Sequence, residues 1–284
     1  MPSTIQQLLS EDAARLAAAL QLDSASARLE AQYLLQHALK NPRAWLLAHG
    51  DEAPDPDRYA IYAALLARRL GGEPVAYILG EREFYGLTLK VTPATLIPRP
   101  ETELLVELAL ERIVPAATCR VLDLGAGSGA IALSIAHARP KIEVVAVDAS
   151  AAALKVAREN AARLQIGNVR FLHGNWYAPL VDEHFELIVS NPPYVVAGDP
   201  HLNQGDLRFE PVSALASGAD GLDDIRRIAA GARAHLAHGG WLLLEHGYDQ
   251  GPAVREILNR QGMEAVLTAP DLAGADRVSG GRAA

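Results

Sequence analysis

The clearest chemical signal lies in four consecutive residues, Asn191, Pro192, Pro193 and Tyr194, which follow the apolar run F-E-L-I-V-S. Two adjacent prolines fix φ and remove two backbone N–H donors, so this stretch cannot continue a strand ladder. It forms a stiff loop in which the Asn191 side-chain oxygen and the Pro192 carbonyl can accept hydrogen bonds. Tyr194 adds an aromatic face. These groups suit a planar –NH₂ group, whose two N–H protons would meet the two acceptors.

The reaction favoured by this loop is methyl transfer to that nitrogen. The nitrogen lone pair is delocalised, so fixed acceptors that raise its electron density assist the reaction. A sulfonium donor is already activated, and rate would come from in-line placement of nitrogen and methyl carbon at roughly 3 Å in a dry pocket. We therefore expect Asn191, Pro192 and Tyr194 to be catalytic, with Pro193 also binding the acceptor. We predict no strong general base and no metal ion.

A glycine-rich loop, D-L-G-A-G-S-G-A at 123–130, is the second candidate site. Glycines between a strand and a helix allow a tight turn and the close approach of a ligand. The same letters satisfy one form of the dinucleotide fingerprint, so the loop alone is compatible with NAD or S-adenosylmethionine. Asp148 ends the next predicted strand, where a carboxylate suits the ribose hydroxyls of either ligand.

Two details favour S-adenosylmethionine. Asp123 precedes the glycines, where a carboxylate suits a cationic amino group better than a pyrophosphate, and the loop lacks basic residues for phosphates. Asn175 and Trp176 end the third predicted strand, where an amide and an aromatic face could hold adenine; core packing is the alternative for Trp176. The predicted cofactor-binding residues are Asp123, Gly125, Ala126, Gly127, Ser128, Gly129, Asp148, Asn175, Trp176 and Asn191.

Alternating strands and helices must position these residues. From residue 120 the apolar strand patterns are R-V-L-D-L, I-E-V-V-A-V-D, N-V-R-F-L-H, F-E-L-I-V-S and W-L-L-L-E-H, with helical patterns at about 129–138 and 222–236 among those between them. This alternation predicts a parallel sheet covered on both faces. Ligands of such sheets bind beyond the carboxyl ends of the strands, where every candidate residue falls. M-E-A-V-L-T and D-R-V-S-G-G-R predict two final strands.

The N-terminal part has a different pattern. Residues 1–76 show apolar residues at helical spacing, divided by prolines into short helices. They include no cluster of catalytic residue types, so we predict a helical domain that docks the substrate. Residues 77–98 alternate apolar and β-branched residues around Gly86 and predict a β-hairpin connector. Residues 99–284, opening with the helix start P-R-P-E-T-E, would form the catalytic domain.

The charge and composition of the chain argue against several classes of function. The 284 residues carry a net charge of −8, which counts against tight binding to nucleic acid. Cys119 is the single cysteine, so neither a disulfide framework nor a cysteine-based metal site is expected. The sequence shows no signal peptide and no apolar stretch as long as a membrane span. We expect a cytoplasmic monomer that binds neither DNA nor membrane.

Longer motifs carry a resemblance to a known family. They read G-E-P-V-A-Y-I-L-G-E-R-E-F-Y-G-L, L-I-P-R-P-E-T-E-L-L-V, D-L-G-A-G-S-G-A-I-A-L, N-P-P-Y and L-L-L-E-H-G. With the helical N-terminal region, they resemble the HemK-type (PrmC) glutamine methyltransferases of peptide chain release factors over nearly the whole chain. The resemblance implies an α/β class I methyltransferase fold, with a mainly parallel seven-stranded sheet whose last strand is antiparallel. It also implies methylation of the side-chain amide nitrogen of glutamine in the Gly-Gly-Gln motif, with S-adenosylhomocysteine as product.

The same resemblance assigns roles to residues. Gly125–Gly129 and Asp148 would hold S-adenosylmethionine, Trp176 would lie near adenine, and Asn191–Tyr194 would bind the glutamine amide. Asn175 stands where the family often has Asp. Because either side chain can accept a hydrogen bond from the adenine amino group, this difference bears on cofactor affinity alone.

Several alternatives stay open on the sequence. A ribosomal-protein glutamine methyltransferase is the alternative within the family, and a DNA or RNA adenine methyltransferase shares N-P-P-Y but needs a basic surface and room for a flipped base. An NAD-dependent dehydrogenase would explain the glycine loop alone, and a non-enzymatic binding module would leave that intact loop without a use. Arg99, Glu101 and Glu103 either line the cofactor site or order the helix start.

Overall fold

The structure, a computed structural model, describes residues 3–113 and 119–284. These residues form two compact units. The first runs to Gly80 and includes Asn203–Phe209, and the second comprises Glu81–Leu202 and Glu210–Ala284. This division differs from the predicted boundaries at 76 and 98, since the hairpin belongs to the second unit. It also places Asn203–Phe209, predicted within the catalytic domain, in the helical unit.

The first unit is a bundle of short helices, as predicted. Its helices are α1 (Ile5–Leu20), α2 (Ser24–Leu39), α3 (Arg43–Ala48), α4 (Pro56–Leu70) and α5 (Val75–Leu79). A capping box begins α1: the Thr4 hydroxyl accepts from the Gln7 N–H, while the Gln7 side chain accepts from the Thr4 N–H. In the core the fully buried Tyr62 donates its hydroxyl to Asp12 at 2.9 Å.

A buried ion pair holds Asn203–Phe209 within this unit. The Arg69 guanidinium, only 3% exposed, donates to both carboxylate oxygens of Glu30 at 2.7 and 2.9 Å. It also donates to Asp206 at 2.8 Å, across 137 positions of the chain. A buried guanidinium needs such partners, because an unpaired charge in the interior is strongly destabilising. Arg69 therefore anchors a distant segment on the helical bundle.

A hairpin opens the second unit. Strands β1 (Glu81–Phe84) and β2 (Leu87–Lys90) pair in antiparallel fashion. Tyr85 and Gly86 turn between them with φ of 49° and 74°, the positive values that a tight two-residue hairpin turn requires.

A seven-stranded sheet forms the centre of this unit. Its strands are β3 (Arg120–Leu124), β4 (Glu143–Asp148), β5 (Val169–His173), β6 (Phe185–Ser190), β7 (Leu236–Glu245), β8 (Glu264–Pro270) and β9 (Asp276–Arg282). Their spatial order is β5-β4-β3-β6-β7-β9-β8. β9 runs antiparallel to both of its neighbours, and the other pairs are parallel. The predicted mainly parallel sheet with an antiparallel last strand is confirmed.

Helices accompany these strands. They are α6 (Glu103–Arg112), α7 (Ala130–Ala138), α8 (Ala151–Arg163), α9 (Asp223–His235) and α10 (Gly251–Arg260). The sequence patterns did not predict α10. Short 3₁₀ turns lie at Pro100–Thr102, Pro200–Asn203, Leu207–Phe209 and Val212–Ala214. Within the described residues, no helix combines the length and apolar composition needed to cross a membrane.

Both faces of the sheet are covered by apolar packing. Val121 joins the cluster that contains residues of α6 and α7, and its neighbour Leu122 joins the one that contains residues of α9 and α10. Successive strand residues point to opposite faces, so a continuous apolar run can serve both clusters. Each fully buried Val or Leu contributes about 1.5–3 kcal/mol by removal of apolar area from water. This packing fixes the strand ends from which the candidate site is built.

Candidate active site

A cavity of about 450 Å³ lies at the carboxyl ends of the central parallel strands. The loops after four successive strands contribute to it. Its lining includes Gly125 and Gly127 after β3, Asp148 at the end of β4, Asn175 and Trp176 after β5, and Asn191 and Pro193 after β6. The fold thus brings together the glycine loop and the N-P-P-Y loop, which the sequence separates by some sixty residues.

The glycine loop is held against the end of β4. The N–H groups of Gly125 and Ala126 donate to the Val147 carbonyl at 2.8 and 3.0 Å. Gly127 donates its N–H to one Asp148 oxygen at 2.7 Å, and Ser150 donates to the other at 2.7 Å. Each carboxylate oxygen keeps a further lone pair, so Asp148 can shape the loop and still accept from ligand hydroxyls.

The glycine loop approaches an aromatic ring at Gly125, where the backbone conformation disfavours any residue with a side chain. Gly125 has φ of +82°, and a Cβ built there would lie 3.6 Å from the Trp176 ring. Trp176 is half-buried and packs partly against the apolar core, so it serves both the core and the cavity wall. Asn175 beside it is exposed. The cavity therefore offers an aromatic face and an amide next to a turn where backbone can closely approach a ligand.

Other predicted cofactor residues lie behind the cavity. Asp123 is fully buried and does not line the cavity. Its Oδ2 accepts the Ala132 N–H at 3.1 Å, and its Oδ1 has no hydrogen-bond partner among the described residues. Burial raises the pKa of Asp123 to about 7. The sequence predicted that Asp123 contacts the cofactor directly. Its placement instead favours a role in supporting the first turn of α7. Buried positions in the same turn are occupied by Ala126, Ser128 and Gly129.

The Asn191 carboxamide has a defined orientation. Its Nδ2 donates to the Thr102 hydroxyl oxygen at 3.2 Å, and the residue lines the cavity. Because the amide nitrogen is engaged, the side-chain oxygen remains as an acceptor. Pro193 also lines the cavity, whereas Pro192 is buried. The loop thus presents an acceptor beside the glycine-rich turn.

Tyr194 is fixed at both ends. Its phenol donates to Glu245 Oε1 at 3.4 Å, and its backbone carbonyl accepts from Gln250 Nε2 at 3.1 Å. Burial raises the pKa of Tyr194 above its ordinary value, so the phenol stays a neutral donor. Gly221 packs against the same carbonyl, since a Cβ there would lie 2.3 Å from the oxygen. Tyr194 is therefore held through its phenol and its backbone by neighbours on three other segments.

The sequence assigned no role to three residues that hold this loop. Thr102 and Glu245 lie within the motifs I-P-R-P-E-T-E and L-L-L-E-H-G, and Gln250 precedes α10. For Thr102 and Glu245, their position within these two motifs was the feature of the sequence that could have indicated a role. Side chains that line the cavity without having been predicted include Leu96, Ser213, Asp224 and Arg227.

Arg99 and Glu103 of the P-R-P-E-T-E segment contact neighbouring parts of the chain and not the cavity. Arg99 forms an ion pair with the buried Glu210, whose other oxygen accepts the Ile97 N–H at 3.0 Å. Glu103 accepts the Tyr85 N–H at 2.9 Å and so ties the hairpin to the start of α6. These contacts order the chain around the helix start, and neither Arg99 nor Glu103 lines the cavity.

The cavity fits a nucleoside-containing cofactor. Its volume of about 450 Å³ lies within the range of small-ligand sites, roughly 300–1,000 Å³. At Gly127 a Cβ would meet no atom within 4 Å, so this part of the turn is open to a ligand. Over residues 3–113 and 119–284, no group of three or more His, Cys, Asp or Glu side chains could hold a metal ion.

Known proteins share this architecture. Residues 7–80 match the family model of the PrmC N-terminal domain, and residues 100–206 match that of the methyltransferase small domain. The release factor glutamine methyltransferase of Xylella fastidiosa strain Temecula1 is 56% identical over 255 residues, covering 90% of this chain and 93% of that protein. The chain belongs to the release factor glutamine methyltransferase family.

A second family member supports this assignment, and a solved structure of another methyltransferase shares the fold. The release factor glutamine methyltransferase of Vibrio cholerae is 52% identical over 263 residues and covers 92% of each chain. The Thermus thermophilus 16S rRNA N2 G1207 methyltransferase, solved with S-adenosylmethionine and guanosine, matches with a TM-score of 0.52 at 23% identity, over 72% of this chain and 50% of that one. The latter shows a shared fold. The family resemblance and methyltransferase fold predicted from the sequence are confirmed.

Proposed function

We propose that this protein transfers a methyl group from S-adenosylmethionine to the side-chain amide nitrogen of glutamine in the Gly-Gly-Gln motif of peptide chain release factors. The observation that carries the proposal is the oriented Asn191 carboxamide, held by Thr102 at 3.2 Å and placed in the cavity beside the glycine loop. The names of the family members support the acceptor. Release factors act in translation termination, so the cytoplasm is the proposed location.

The N-P-P-Y loop would bind and polarise the acceptor amide. The side-chain oxygen of Asn191 and the carbonyl of Pro192 would accept its two N–H protons, and the Tyr194 ring would stack on its plane. The prolines keep the acceptors rigid, so little reorganisation accompanies the reaction. When bound, S-adenosylmethionine supplies an electrophilic methyl group. The amide nitrogen loses its proton after transfer, so the step requires no strong base and no metal.

Different residues of the cavity would bind different parts of the cofactor. Asp148 would accept from the ribose hydroxyls, because both of its oxygens retain lone pairs at the end of β4. Trp176 would flank adenine, and Asn175 would accept from the adenine amino group. The glycine loop would pass close to the remaining part of the cofactor. Asp123, enclosed behind that loop, would act by supporting it.

The helical unit would dock the release factor. Its exposed apolar side chains include Leu29 and Tyr33, 42% and 45% exposed and one helical turn apart on α2. Neighbouring exposed apolar side chains favour a protein partner. In the full chain, Leu29→Asp with Tyr33→Ser should raise KM for an intact release factor and leave the rate on a short Gly-Gly-Gln peptide unchanged. An unchanged KM for the intact factor would contradict docking at this face.

The decisive experiment for the reaction uses radiolabelled S-adenosylmethionine. Parallel acceptors are an intact release factor, its variant with Gln→Ala in the Gly-Gly-Gln motif, a ribosomal protein fraction and DNA. We expect label in the intact factor and its loss in the variant. Label confined to the ribosomal fraction or to DNA would refute the proposed acceptor while leaving methyl transfer in place.

A further inference from the structure

Two short loops outside the sheet form part of the cavity wall. The first is the 94–97 loop, which follows β2 and contributes residues 94–96 to the lining. The second is the 211–214 loop, which contributes Pro211, Ser213 and Ala214. The sequence marked neither loop as functional, yet both face the cavity that holds the glycine loop and Asn191. What fixes these loops therefore shapes the cavity.

Glu210 connects the two loops. It directly precedes Pro211, and its side chain is fully buried. One carboxylate oxygen accepts the Ile97 N–H at 3.0 Å, across 113 positions of the chain. The other oxygen pairs with the Arg99 guanidinium. A single carboxylate at the start of the 211–214 loop is thus bonded to the backbone at the end of the 94–97 loop and to a side chain two residues further on.

The other end of the 211–214 loop is fixed beside the N-P-P-Y motif. Val195, the residue after that motif, donates its N–H to the Leu215 carbonyl at 2.9 Å. The Val195 carbonyl accepts the Ser217 N–H at 2.8 Å. The 211–214 loop is therefore held at one end by the side chain of Glu210 and at the other by backbone hydrogen bonds to the acceptor-binding region.

The buried ion pair supplies direction more than stability. Replacement of such a pair by apolar side chains of similar volume is often neutral or stabilising, because desolvation of the charges offsets their attraction. A carboxylate, however, has two acceptor oxygens in one rigid plane, and charge-assisted hydrogen bonds to it are short and directional. Glu210 uses one oxygen for a backbone N–H and the other for a guanidinium. These contacts define where each loop lies relative to the other.

We propose that Glu210, paired with Arg99, is a positioning residue that sets the placement of the two loops and thereby the affinity of the cavity for S-adenosylmethionine. This inference rests on the proposed function. Neither side chain lines the cavity, so both act through the loops that they hold. The glycine loop and Asp148 follow strands fixed by the sheet, whereas the two loops lie outside it and depend on contacts of this kind.

The first test measures the affinity for S-adenosylmethionine by calorimetry, in the full chain and without an acceptor. Arg99→Met should weaken binding about tenfold, the loss expected when the loops hold the binding form about a tenth of the time. Arg99→Lys keeps a positive charge and should restore most of this affinity. Glu210→Gln keeps an oxygen for the Ile97 N–H and loses the ion pair, so it should resemble Arg99→Met. The double variant should lose little more than either single variant, because both break the same pair.

Arg120→Met is the matched control. Arg120 begins β3, at the opposite end of that strand from the glycine loop. Its side chain is 33% exposed and pairs with Glu143 at 2.9 Å and with Glu183, whereas that of Arg99 is 31% exposed. Arg120→Met should leave the affinity for S-adenosylmethionine within about twofold of wild type, because the two sites are distant and share no partner. An equal loss of affinity in Arg120→Met and Arg99→Met would overturn the positioning role.

Hydrogen exchange tests the loops without any ligand. In Arg99→Met, peptides that cover residues 94–97 and 211–217 should exchange several-fold faster than in wild type, because a contact that restrains both loops is lost. Arg99→Lys should restore slow exchange, and Arg120→Met should leave both peptides unchanged. Wild-type exchange of the two loops in Arg99→Met would contradict the inference.

The results for the positioning role and for the proposed function can be told apart. If Arg99→Met binds S-adenosylmethionine about tenfold more weakly than wild type, but wild type methylates no release factor, the proposed acceptor is refuted and the positioning role stands. If wild type methylates the release factor and Arg99→Met binds the cofactor as wild type does, the positioning role is refuted and the proposed function stands. A wild type that binds no S-adenosylmethionine would overturn both.

Discussion

Asn191 and Thr102 lie 89 positions apart in the chain and are joined by a hydrogen bond of 3.2 Å between the carboxamide nitrogen and the hydroxyl oxygen. Thr102 closes the 3₁₀ turn before α6, and Asn191 opens the loop after β6. The contact converts a flexible carboxamide into an acceptor with a fixed direction. An acceptor that is in place before the substrate arrives adds no reorganisation to the reaction step.

Removal of the Asn191 carboxamide should abolish most turnover. In Asn191→Ala, kcat should fall by about 10²–10³, the loss typical of one preorganised hydrogen-bonding group in a transition state. Affinity for S-adenosylmethionine should change little, and both quantities can be measured by steady-state kinetics and calorimetry. Asn259→Ala, at an exposed position on α10, is the matched control. Full activity in Asn191→Ala would refute the acceptor role.

A methyl group at Gly221 should displace the Tyr194 carbonyl. Gly221→Ala places a Cβ 2.3 Å from that oxygen at φ of +75°, whereas Gly274→Ala meets no atom within 4 Å at φ of +82°. Both substitutions share the backbone strain, so their difference isolates the steric clash. We expect Gly221→Ala to lower the free energy of unfolding by about 1–3 kcal/mol more than Gly274→Ala, and to lower kcat. Denaturant titration and kinetics measure the two effects. Equal stabilities and rates in the two variants would show that the N-P-P-Y loop accommodates the extra methyl group without cost.

Loss of the buried guanidinium in the helical unit should be strongly destabilising. Arg69→Met leaves Glu30 and Asp206 without their common partner, for which we expect a loss of about 3–5 kcal/mol in the free energy of unfolding. Arg260→Met removes an ion pair with Glu256 in which the two side chains are 73% and 62% exposed, so its effect should stay within about 1 kcal/mol. Urea titration compares the two variants. Similar small losses would mean that water replaces the missing charge.

The buried Asp123 should make stability depend on pH. Its folded pKa is raised from 3.8 to about 7, so between these values the folded state binds more protons than the unfolded state. The free energy of unfolding therefore falls as pH rises through that window. Asp123→Asn should lose less stability between pH 4.5 and 7.5 than wild type, while the exposed Asp51→Asn should behave as wild type. Parallel curves for all three proteins would show that Asp123 does not titrate there.

Local chemistry was readable from the sequence. Asn191–Tyr194 and the glycine loop could be recognised as candidate sites, because proline restricts the backbone and glycine frees it wherever they occur. The strand and helix periodicities then predicted the sheet and the edge on which both loops lie. Even α10, which was missed, has a helix-start proline at Pro252, although its short apolar pattern follows a glycine-rich turn.

Contacts between segments that are distant in the chain could not be predicted from the sequence. Glu245 looks like the end of an ordinary strand, and nothing next to it in the chain indicates that its carboxyl group is enclosed behind Tyr194. The pairing of Arg69 with Asp206 spans 137 positions, so no periodic pattern connects them. Such relationships depend on which surfaces meet after folding.

The membership of Asn203–Phe209 in the helical unit has a consequence for engineering and for evolution. The chain passes from one compact unit to the other after Gly80, after Leu202 and again after Phe209. A gene fragment that ends at Gly80 lacks Asp206, and one that begins at Glu81 retains a seven-residue insert deprived of its anchor. A chimaera that exchanges helical units between relatives must therefore be spliced at all three junctions, since one cut would mismatch Arg69 with a foreign insert.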